Sequence, residues 1–133
     1  MIDTSRVSER GHSLPVSAIL LAGGASRRMG GLNKALLKVG RVTIVERVAH
    51  TLASIFSEVV VITNTPEVFA FLGLPMYPDL KLGQGSLGGL YTGLSVCSTG
   101  HGFLAACDMP FLCTGCIEHM VSLIEHNDVV IPR

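Results

Sequence analysis

The sequence has no tryptophan, few aromatic residues (5%) and few charged ones (15%). Ten lysines and arginines balance ten aspartates and glutamates, and this net charge of zero argues against a protein whose whole surface binds nucleic acid or an anionic membrane. The apolar fraction of 48% excludes an intrinsically disordered chain. A length of 133 residues then fits one domain with a sizeable core.

Long hydrophobic runs are also absent. No segment approaches the roughly 18 apolar residues that a membrane-spanning helix needs, and residues 1–15 lack the apolar segment of a signal peptide. We therefore expect a cytoplasmic protein without a membrane partner. Because residues 1–15 are polar and aperiodic, a loose extension is expected before a domain over residues 16–133.

Hydrophobic periodicity predicts strands that alternate with helices. Buried strands are predicted at residues 16–21, 59–63, 103–107 and 128–131, with a weaker strand at 76–77. Helices are predicted at residues 43–56, 88–98 and 114–125, with a short helix opened by Thr65-Pro66-Glu67.

Two details sharpen this prediction. Thr43 and Glu46 match a capping box at the start of the first helix. Because the strands are apolar on both faces, we expect a Rossmann-like, three-layer α/β/α domain around a mostly parallel sheet.

The sequence stops directly after the last predicted strand, which predicts a domain truncated at its C-terminal end.

Glycine and positive charge are concentrated in one loop. Nine of the fifteen glycines fall within residues 23–31 and 83–93, and no acidic residue occurs between residues 11 and 45. The loop after the first strand carries Gly23, Gly24, Arg28 and Lys34. Glycines let the backbone approach a ligand and present N–H donors, and the cations add attraction for phosphates. The spacing is not that of a P-loop, because Lys34 precedes alanine.

Polar residues follow the other predicted strands. Asn64 follows the strand predicted at residues 59–63, Asp79 follows the one at 76–77, and Asp108 follows the one at 103–107. Ligands of parallel sheets bind beyond the carboxyl ends of the strands, so these residues are expected to face the basic loop across a nucleotide site. Asp108 is the best candidate to bind a hard cation such as Mg²⁺, although such a residue is about as often a turn former.

Other patterns carry less information. The stretch from Gly83 to Gly88 matches G-x-G-x-x-G but does not directly follow a strand. Cys113 and Cys116 lack the second ligand pair of a zinc module, so we interpret them as packing and surface residues. No G-x-S-x-G elbow is present, which fits a transfer reaction without a covalent intermediate.

Three ordered motifs resemble one enzyme family. They are Leu21-Ala-Gly-Gly-Ala-Ser-Arg-Arg-Met-Gly-Gly-Leu-Asn-Lys34, then Pro78-Asp79 with Gly85-Ser-Leu-Gly-Gly-Leu90, and finally Ala106-Cys-Asp-Met-Pro-Phe111. In order and spacing they are similar to motifs of the MobA-type nucleotidyltransferases, the molybdenum cofactor guanylyltransferases. Because the resemblance rests on three ordered motifs, it is far more specific than any one of them.

The resemblance implies a reaction in which GMP is transferred from GTP to the phosphate of molybdenum-bound molybdopterin, with release of pyrophosphate. GTP, the molybdenum cofactor and proteins of molybdoenzyme maturation would be the partners, without nucleic acid. In the family, the residues that match Arg28 and Lys34 hold phosphates, and the one that matches Asp108 binds Mg²⁺. The other matching nucleotide contacts are Leu21, Ala22, Gly23, Gly24, Asn64, Asp79, Gly85 and Gly89.

The sequence leaves alternatives open on two points, which are the base of the transferred nucleotide and whether the chain is catalytic. Relatives that transfer CMP tend to have alanine at the position of Gly23, and a Cβ there would crowd a purine, so Gly23 favours guanine. Ser86 departs from the proline of the family pattern. The alternatives are transfer of CMP or another nucleotide to a related phosphorylated acceptor, and a nucleotide-binding fragment without catalysis, because the family's acceptor-binding half follows the fifth strand.

Overall fold

The computed structural model of the chain describes residues 16–23 and 33–133. The predicted N-terminal extension and the middle of the basic loop, with Gly24 and Arg28, lie outside the described residues. The strands are β1 (Val16–Leu21), β2 (Lys38–Val39), β3 (Val42–Thr43), β4 (Val59–Ile62), β5 (Met76–Tyr77) and β6 (His101–Ala106). The α-helices are α1 (Ile44–Ile55), α2 (Pro66–Phe69), α3 (Gly85–Val96) and α4 (Thr114–Ser122).

Four strands form one sheet in the order β5–β4–β1–β6, and every neighbouring pair is parallel. The chain runs from β1 outward to β4 and β5, and then crosses back to β6 on the other side of β1. The strand order therefore reverses between β1 and β6. Strands β2 and β3 form a separate antiparallel hairpin.

Helices cover both faces of this sheet. The side chains of β1 point alternately to the two faces, so successive residues of this strand pack against different helices. Ala18 and Leu20 join the larger core with α1 and α4, whereas Ile19 belongs to a smaller cluster on the face covered by α3. All three side chains are fully buried. The expected three-layer α/β/α fold with a parallel sheet is confirmed.

The start of α1 is fixed by the predicted capping box. The Thr43 hydroxyl accepts a hydrogen bond from the Glu46 backbone N–H at 3.3 Å, and the Glu46 carboxylate accepts one from the Thr43 N–H at 2.7 Å. The bonds that the carboxylate accepts from the Thr43 N–H and, at 2.9 Å, from the Thr43 hydroxyl favour its charged form and hold the pKa of Glu46 below its ordinary value. The helix then buries one stripe of side chains: Val45, Val48, Ala49, Leu52 and Ala53.

A second carboxylate ties the amino ends of the strands together. Glu58 precedes β4, and its Oε1 accepts hydrogen bonds from the Ser17 hydroxyl of β1 at 2.6 Å and from the Ser98 backbone N–H at 2.9 Å. The Ser98 hydroxyl donates to the other carboxylate oxygen at 2.8 Å. The hydrogen bond from Ser17, followed by those from Ser98, lowers the pKa of Glu58. The site described below lies at the opposite end of the sheet.

The strand predicted at residues 128–131 is wrong. This segment makes no ladder with any described strand, and Val129 and Ile131 are 74% and 76% exposed. An apolar extended segment becomes a strand only where its N–H and C=O groups meet a partner strand. Within residues 16–23 and 33–133, β6 is the edge of the sheet.

Other element boundaries differ in smaller ways. Helix α3 begins at Gly85 rather than residue 88, and β6 begins at His101 rather than residue 103. Helix α4 ends at Ser122, and a 3-10 turn at Ile124–His126 follows it. The β2–β3 hairpin was missed because its strands have only two residues each, too few for a periodicity. No helix in the described ranges is long and apolar enough to cross a membrane.

Candidate functional site

A cleft of about 370 Å³ opens at the carboxyl ends of the parallel strands. It lies where the strand order reverses between β1 and β6, which is the place where open α/β sheets bind ligands. Its lining residues come largely from the segments that follow β1, β4, β5 and β6. The residues that line it are Leu21, Ala22, Gly23, Asn33, Lys34, Ala35, Ile62, Thr63, Asn64, Thr65, Phe69, Asp79, Gly85, Ser86, Gly89, Ala106, Cys107 and Asp108.

The structure brings together every predicted site residue that it describes. Those residues are Leu21, Ala22, Gly23, Lys34, Asn64, Asp79, Gly85, Gly89 and Asp108, and all of them line this cleft. Arg28 and Gly24, also predicted as site residues, lie outside the described part of the chain. The chemical role of each residue stays a prediction.

Lys34 supplies positive charge at one edge of the cleft. It begins a 3-10 turn at Lys34–Leu36 that Asn33 caps, because the Asn33 side chain accepts a hydrogen bond from the Ala35 N–H at 3.1 Å. Ala35 is 1% exposed and anchors the turn in the core. The turn therefore fixes the point from which the Lys34 side chain lines the cleft.

Asp79 is held by hydrogen bonds at the wall of the cleft. Its backbone N–H donates to the Asn64 side-chain oxygen at 2.9 Å, which links the loops after β4 and β5. Its carboxylate Oδ1 accepts hydrogen bonds from the Lys81 N–H at 2.8 Å and from the Thr92 hydroxyl at 3.3 Å. Both predicted polar residues of this wall are thus part of one network.

The first turn of α3 presents backbone donors to the same space. Gly85 and Ser86 line the cleft, and no side-chain hydrogen bond caps the helix at Gln84. The first N–H groups of a helix have no partner within it, and together with the helix dipole they favour an anion. Gly85 has φ +56°, a backbone conformation that side chains rarely adopt.

Gly89 lets α3 approach β1 closely. A Cβ at this position would lie 2.6 Å from Cδ2 of Leu21. Gly23 differs, because the nearest atom to a Cβ there, the Thr63 Cα, would be 3.6 Å away, an ordinary contact. The backbone at Gly23 is not left-handed either. Neither packing nor conformation within the described residues therefore requires glycine at position 23.

Asp108 lines the same cleft as Lys34 and Asp79, two residues after the end of β6. Its neighbour Cys107 is fixed by a hydrogen bond from its N–H to the Leu21 carbonyl of β1 at 3.1 Å. Burial, with a further contribution from the Asp108 charge, raises the pKa of the Cys107 thiol to about 11. The thiol stays neutral at physiological pH, so it adds no negative charge beside Asp108.

Several lining residues were not predicted from the sequence. Thr63 and Thr65 lie within three residues of the end of β4, a position that could have indicated them, as it did Asn64. Phe69 comes from α2 and is 1% exposed, so its pattern is that of an ordinary core residue and gave no signal. Cys107 lies inside a quoted motif but was not assigned a role.

The pair Cys113 and Cys116 lies outside the cleft, at the start of α4. Both side chains are exposed and neither forms a disulfide. Hydrogen bonds from the Cys116 N–H and thiol lower the pKa of Cys113. The expectation that one of the two cysteines packs in the core is therefore wrong, because both side chains are exposed. No group of three or more potential metal ligands occurs in the part of the chain that the structure describes.

Comparison with known proteins identifies a family for these features. The family described as "MobA-like NTP transferase domain" matches residues 18–133. A protein of Desulfosudis oleivorans named "Molybdenum cofactor guanylyltransferase" is 39% identical over 119 residues, which cover 89% of this chain and 59% of that protein. A protein of Pelotomaculum thermopropionicum named "Probable molybdenum cofactor guanylyltransferase" is 41% identical over 120 residues, covering 90% of this chain and 58% of that one.

Solved structures share the fold. The crystal structure of an Aquifex aeolicus protein superposes with a TM-score of 0.72 at 25% identity, covering 93% of this chain and 65% of that protein. A CMP:2-keto-3-deoxy-manno-octonic acid synthetase in complex with CTP superposes with a TM-score of 0.68 at 19% identity, covering 83% and 47%. At that identity the likeness concerns the fold alone.

The match to the family extends over nearly all of the described chain, and it includes most of β1 and all of the other strands of the parallel sheet. The chain spans a little under three fifths of the length of the two guanylyltransferase relatives above. The strand order, the cleft at its reversal and the sequence match agree with one another. The chain belongs to the MobA-like nucleotidyltransferase family.

Proposed function

We propose that this domain binds GTP in the cleft and transfers GMP to the phosphate of molybdenum-bound molybdopterin, with release of pyrophosphate. The observation that carries the proposal is that Lys34, Asp79 and Asp108, from three separate parts of the chain, line one cleft at the reversal of strand order. The relatives named guanylyltransferases indicate the two substrates. GTP and the molybdenum cofactor are accordingly the proposed partners.

The proposed reaction asks the protein for positioning and for neutralisation of charge. A phosphate oxygen of the acceptor attacks the α-phosphorus of GTP and forms the new P–O bond. The bond from the α-phosphorus to the bridging oxygen breaks, and its electron pair leaves with pyrophosphate. No covalent enzyme intermediate is needed. Lys34 and the uncapped N–H groups at Gly85 and Ser86 are suited to the negative charge of the phosphates.

Asp108 has the chemistry to bind the Mg²⁺ that the family implies. Magnesium in such sites takes one or two protein carboxylates and completes its shell with substrate phosphates and water. Asp108 lines the cleft, whereas the described residues contain no cluster of three or more metal ligands. One carboxylate thus fits a cation that the triphosphate brings with it. When bound, Mg²⁺ would neutralise charge on the phosphate oxygens.

Gly23 supports guanine as the base. Gly23 lines the cleft, and nothing in the described structure requires glycine there for packing or conformation, so we attribute the glycine to contact with the base. The larger purine ring would use this part of the cleft more fully than a pyrimidine ring. A Gly23→Ala variant should fold normally, since the added Cβ makes only ordinary contacts with the described residues, the nearest at 3.6 Å.

Nucleotide binding is the first experiment. Affinities for GTP, CTP, ATP and UTP are measured by calorimetry with and without Mg²⁺. We expect GTP to bind most tightly, and Mg²⁺ to improve its affinity by about tenfold or more. Asp108→Ala should abolish the improvement by Mg²⁺, whereas Asp128→Ala, which removes an exposed carboxylate outside the cleft, should retain it. Gly23→Ala should lower the affinity for GTP more than the affinity for CTP.

Each alternative has its own outcome in this experiment. Preferential binding of CTP would favour transfer of CMP, and GTP binding without pyrophosphate release in the presence of the acceptor would favour a non-catalytic nucleotide-binding module. A wild-type chain that binds no nucleoside triphosphate would disprove the proposal. An Asp108→Ala variant that keeps the full effect of Mg²⁺ would remove Asp108 from the metal site.

A further inference from the structure

One buried hydroxyl joins α3 to the turn that carries Asp79. Thr92 lies two turns after the start of α3 and is fully buried. Its hydroxyl oxygen accepts a hydrogen bond from the Leu80 N–H at 2.8 Å. Its single proton can go to Asp79 Oδ1 at 3.3 Å or to the Gly88 carbonyl at 3.0 Å. The hydroxyl therefore connects the helix to both the backbone and the carboxylate of the Asp79 turn.

We propose that Thr92 is a positioning residue for nucleotide binding, which acts by fixing the Asp79 carboxylate at the wall of the cleft. This inference rests on the proposed function, because Asp79 is assigned there to the nucleotide site. Thr92 does not line the cleft, so it acts through Asp79 and not on the ligand.

The hydrogen bonds leave one carboxylate oxygen for a ligand. Oδ1 of Asp79 is engaged by the Lys81 N–H and by Thr92. Oδ2 accepts no hydrogen bond from the described residues, and the side chain lies in the lining of the cleft. Because the Lys81 N–H donates to Oδ1 and the Thr92 hydroxyl lies within hydrogen-bond distance of it, these contacts favour one orientation of Oδ2 before a nucleotide arrives. A carboxylate ordered in advance loses less conformational entropy on binding.

Gly88 makes this contact possible. A Cβ at position 88 would lie 2.6 Å from the Lys81 carbonyl oxygen and 3.1 Å from both carboxylate oxygens of Asp79. The bare backbone of α3 thus packs directly against the carboxylate, one turn before Thr92. The same helix contributes Gly85 and Gly89 to the cleft, so Thr92 holds two walls of the site in fixed relation.

Three variants separate positioning from packing. Thr92→Val keeps the shape of the side chain but leaves the Leu80 N–H without its acceptor and removes a donor to Asp79. Thr92→Ser keeps the hydroxyl and should rescue the function. Ser95→Ala is the control, because the Ser95 hydroxyl donates to the Tyr91 carbonyl of the same helix at 2.7 Å and forms no hydrogen bond with Asp79.

The readout is GTP affinity, measured by calorimetry on variants whose folding is checked by circular dichroism. We expect Thr92→Val to weaken binding about tenfold, the size of effect that one charge-assisted hydrogen bond can have. Thr92→Ser and Ser95→Ala should stay close to wild type. In an Asp79→Ala background, Thr92→Val should cause no further loss, because its effect passes through the missing carboxylate.

A second readout does not need a nucleotide. Hydrogen exchange of the Leu80 N–H should be slow in the wild type and in Thr92→Ser, and clearly faster in Thr92→Val. A folded Thr92→Val variant with wild-type GTP affinity would overturn the inference while the proposed function stands. If the losses of GTP affinity caused by Asp79→Ala and Thr92→Val simply add in the double variant, the inference is likewise overturned while the proposed function stands. Absence of GTP binding in the wild type itself would overturn the proposed function, and with it the role of Thr92 in binding.

Discussion

Replacing Gly93 of α3 with alanine should destabilise the protein, although alanine is the better helix former. The new Cβ would lie 2.4 Å from Cγ2, 2.8 Å from Cδ1 and 3.0 Å from Cγ1 of Ile19. Ile19 has no solvent-exposed surface and is confined on another side by Gly102, where a Cβ would lie 2.6 Å from its Cδ1. Overpacking of about 3 kcal/mol, less about 1 kcal/mol of gained helix propensity, leaves a net loss of about 2 kcal/mol.

Urea unfolding followed by circular dichroism measures this loss. Gly115→Ala is the control, because a Cβ there meets nothing within 4 Å, and it should leave the free energy of unfolding unchanged or raise it by up to about 1 kcal/mol. Ile19→Val tests the atoms involved. It removes Cδ1, so it should restore part of the stability that Gly102→Ala loses, while the Leu94 Cδ2 contact at 3.0 Å remains. It retains Cγ2, so it should not restore the stability that Gly93→Ala loses. A Gly93→Ala variant as stable as the wild type would refute this account of the packing.

Two further predictions follow from the pKa shifts. The folded-state pKa of Glu58 is lowered, first by Ser17, so its stabilisation is present above the ordinary pKa near 4.5 and is lost as the pH falls through the folded value. Glu58→Gln should therefore cost about 1 kcal/mol at neutral pH, after allowance for solvent screening, and nothing once the carboxyl is protonated; equal costs at both pH values in urea titrations would contradict this. The pKa of Cys113 is lowered by Cys116, whereas burial raises that of Cys107 to about 11. Iodoacetamide near neutral pH should therefore label Cys113 much faster than Cys107 in a mass-spectrometric time course, and comparable rates would count against the assigned environments.

Local sequence signals were sufficient for most of the fold. The strand at Val16–Leu21 and the helix at Ile44–Ile55 followed from apolar runs and from the Thr43–Glu46 capping box, because these interactions lie within a few residues of one another. The segment at residues 128–131 has the same apolar character but forms no strand. Pairing depends on a partner far away in the chain, and composition does not report it.

The candidate site, too, could be predicted from the sequence only in part. Asn64, Asp79 and Asp108 could be predicted because each follows a strand of one parallel sheet, and the carboxyl ends of such strands meet at one edge. The role inferred for Thr92 could not be predicted. A single threonine in a helix gives no pattern, and its contact with Asp79 depends on how closely α3 packs at Gly88.

The glycines of α3 have a consequence for its local stability. Gly88, Gly89 and Gly93 allow the close approach to Asp79, Leu21 and Ile19, yet each interior glycine costs a helix about 1 kcal/mol relative to alanine. The helix is therefore weak in isolation and depends on the sheet beneath it. Its opening should form a cooperative unit that unfolds before β1 and β4 do. A ligand that bridges α3 and β1 would raise the free energy of this partial unfolding, so that occupancy of the cleft becomes a determinant of local order.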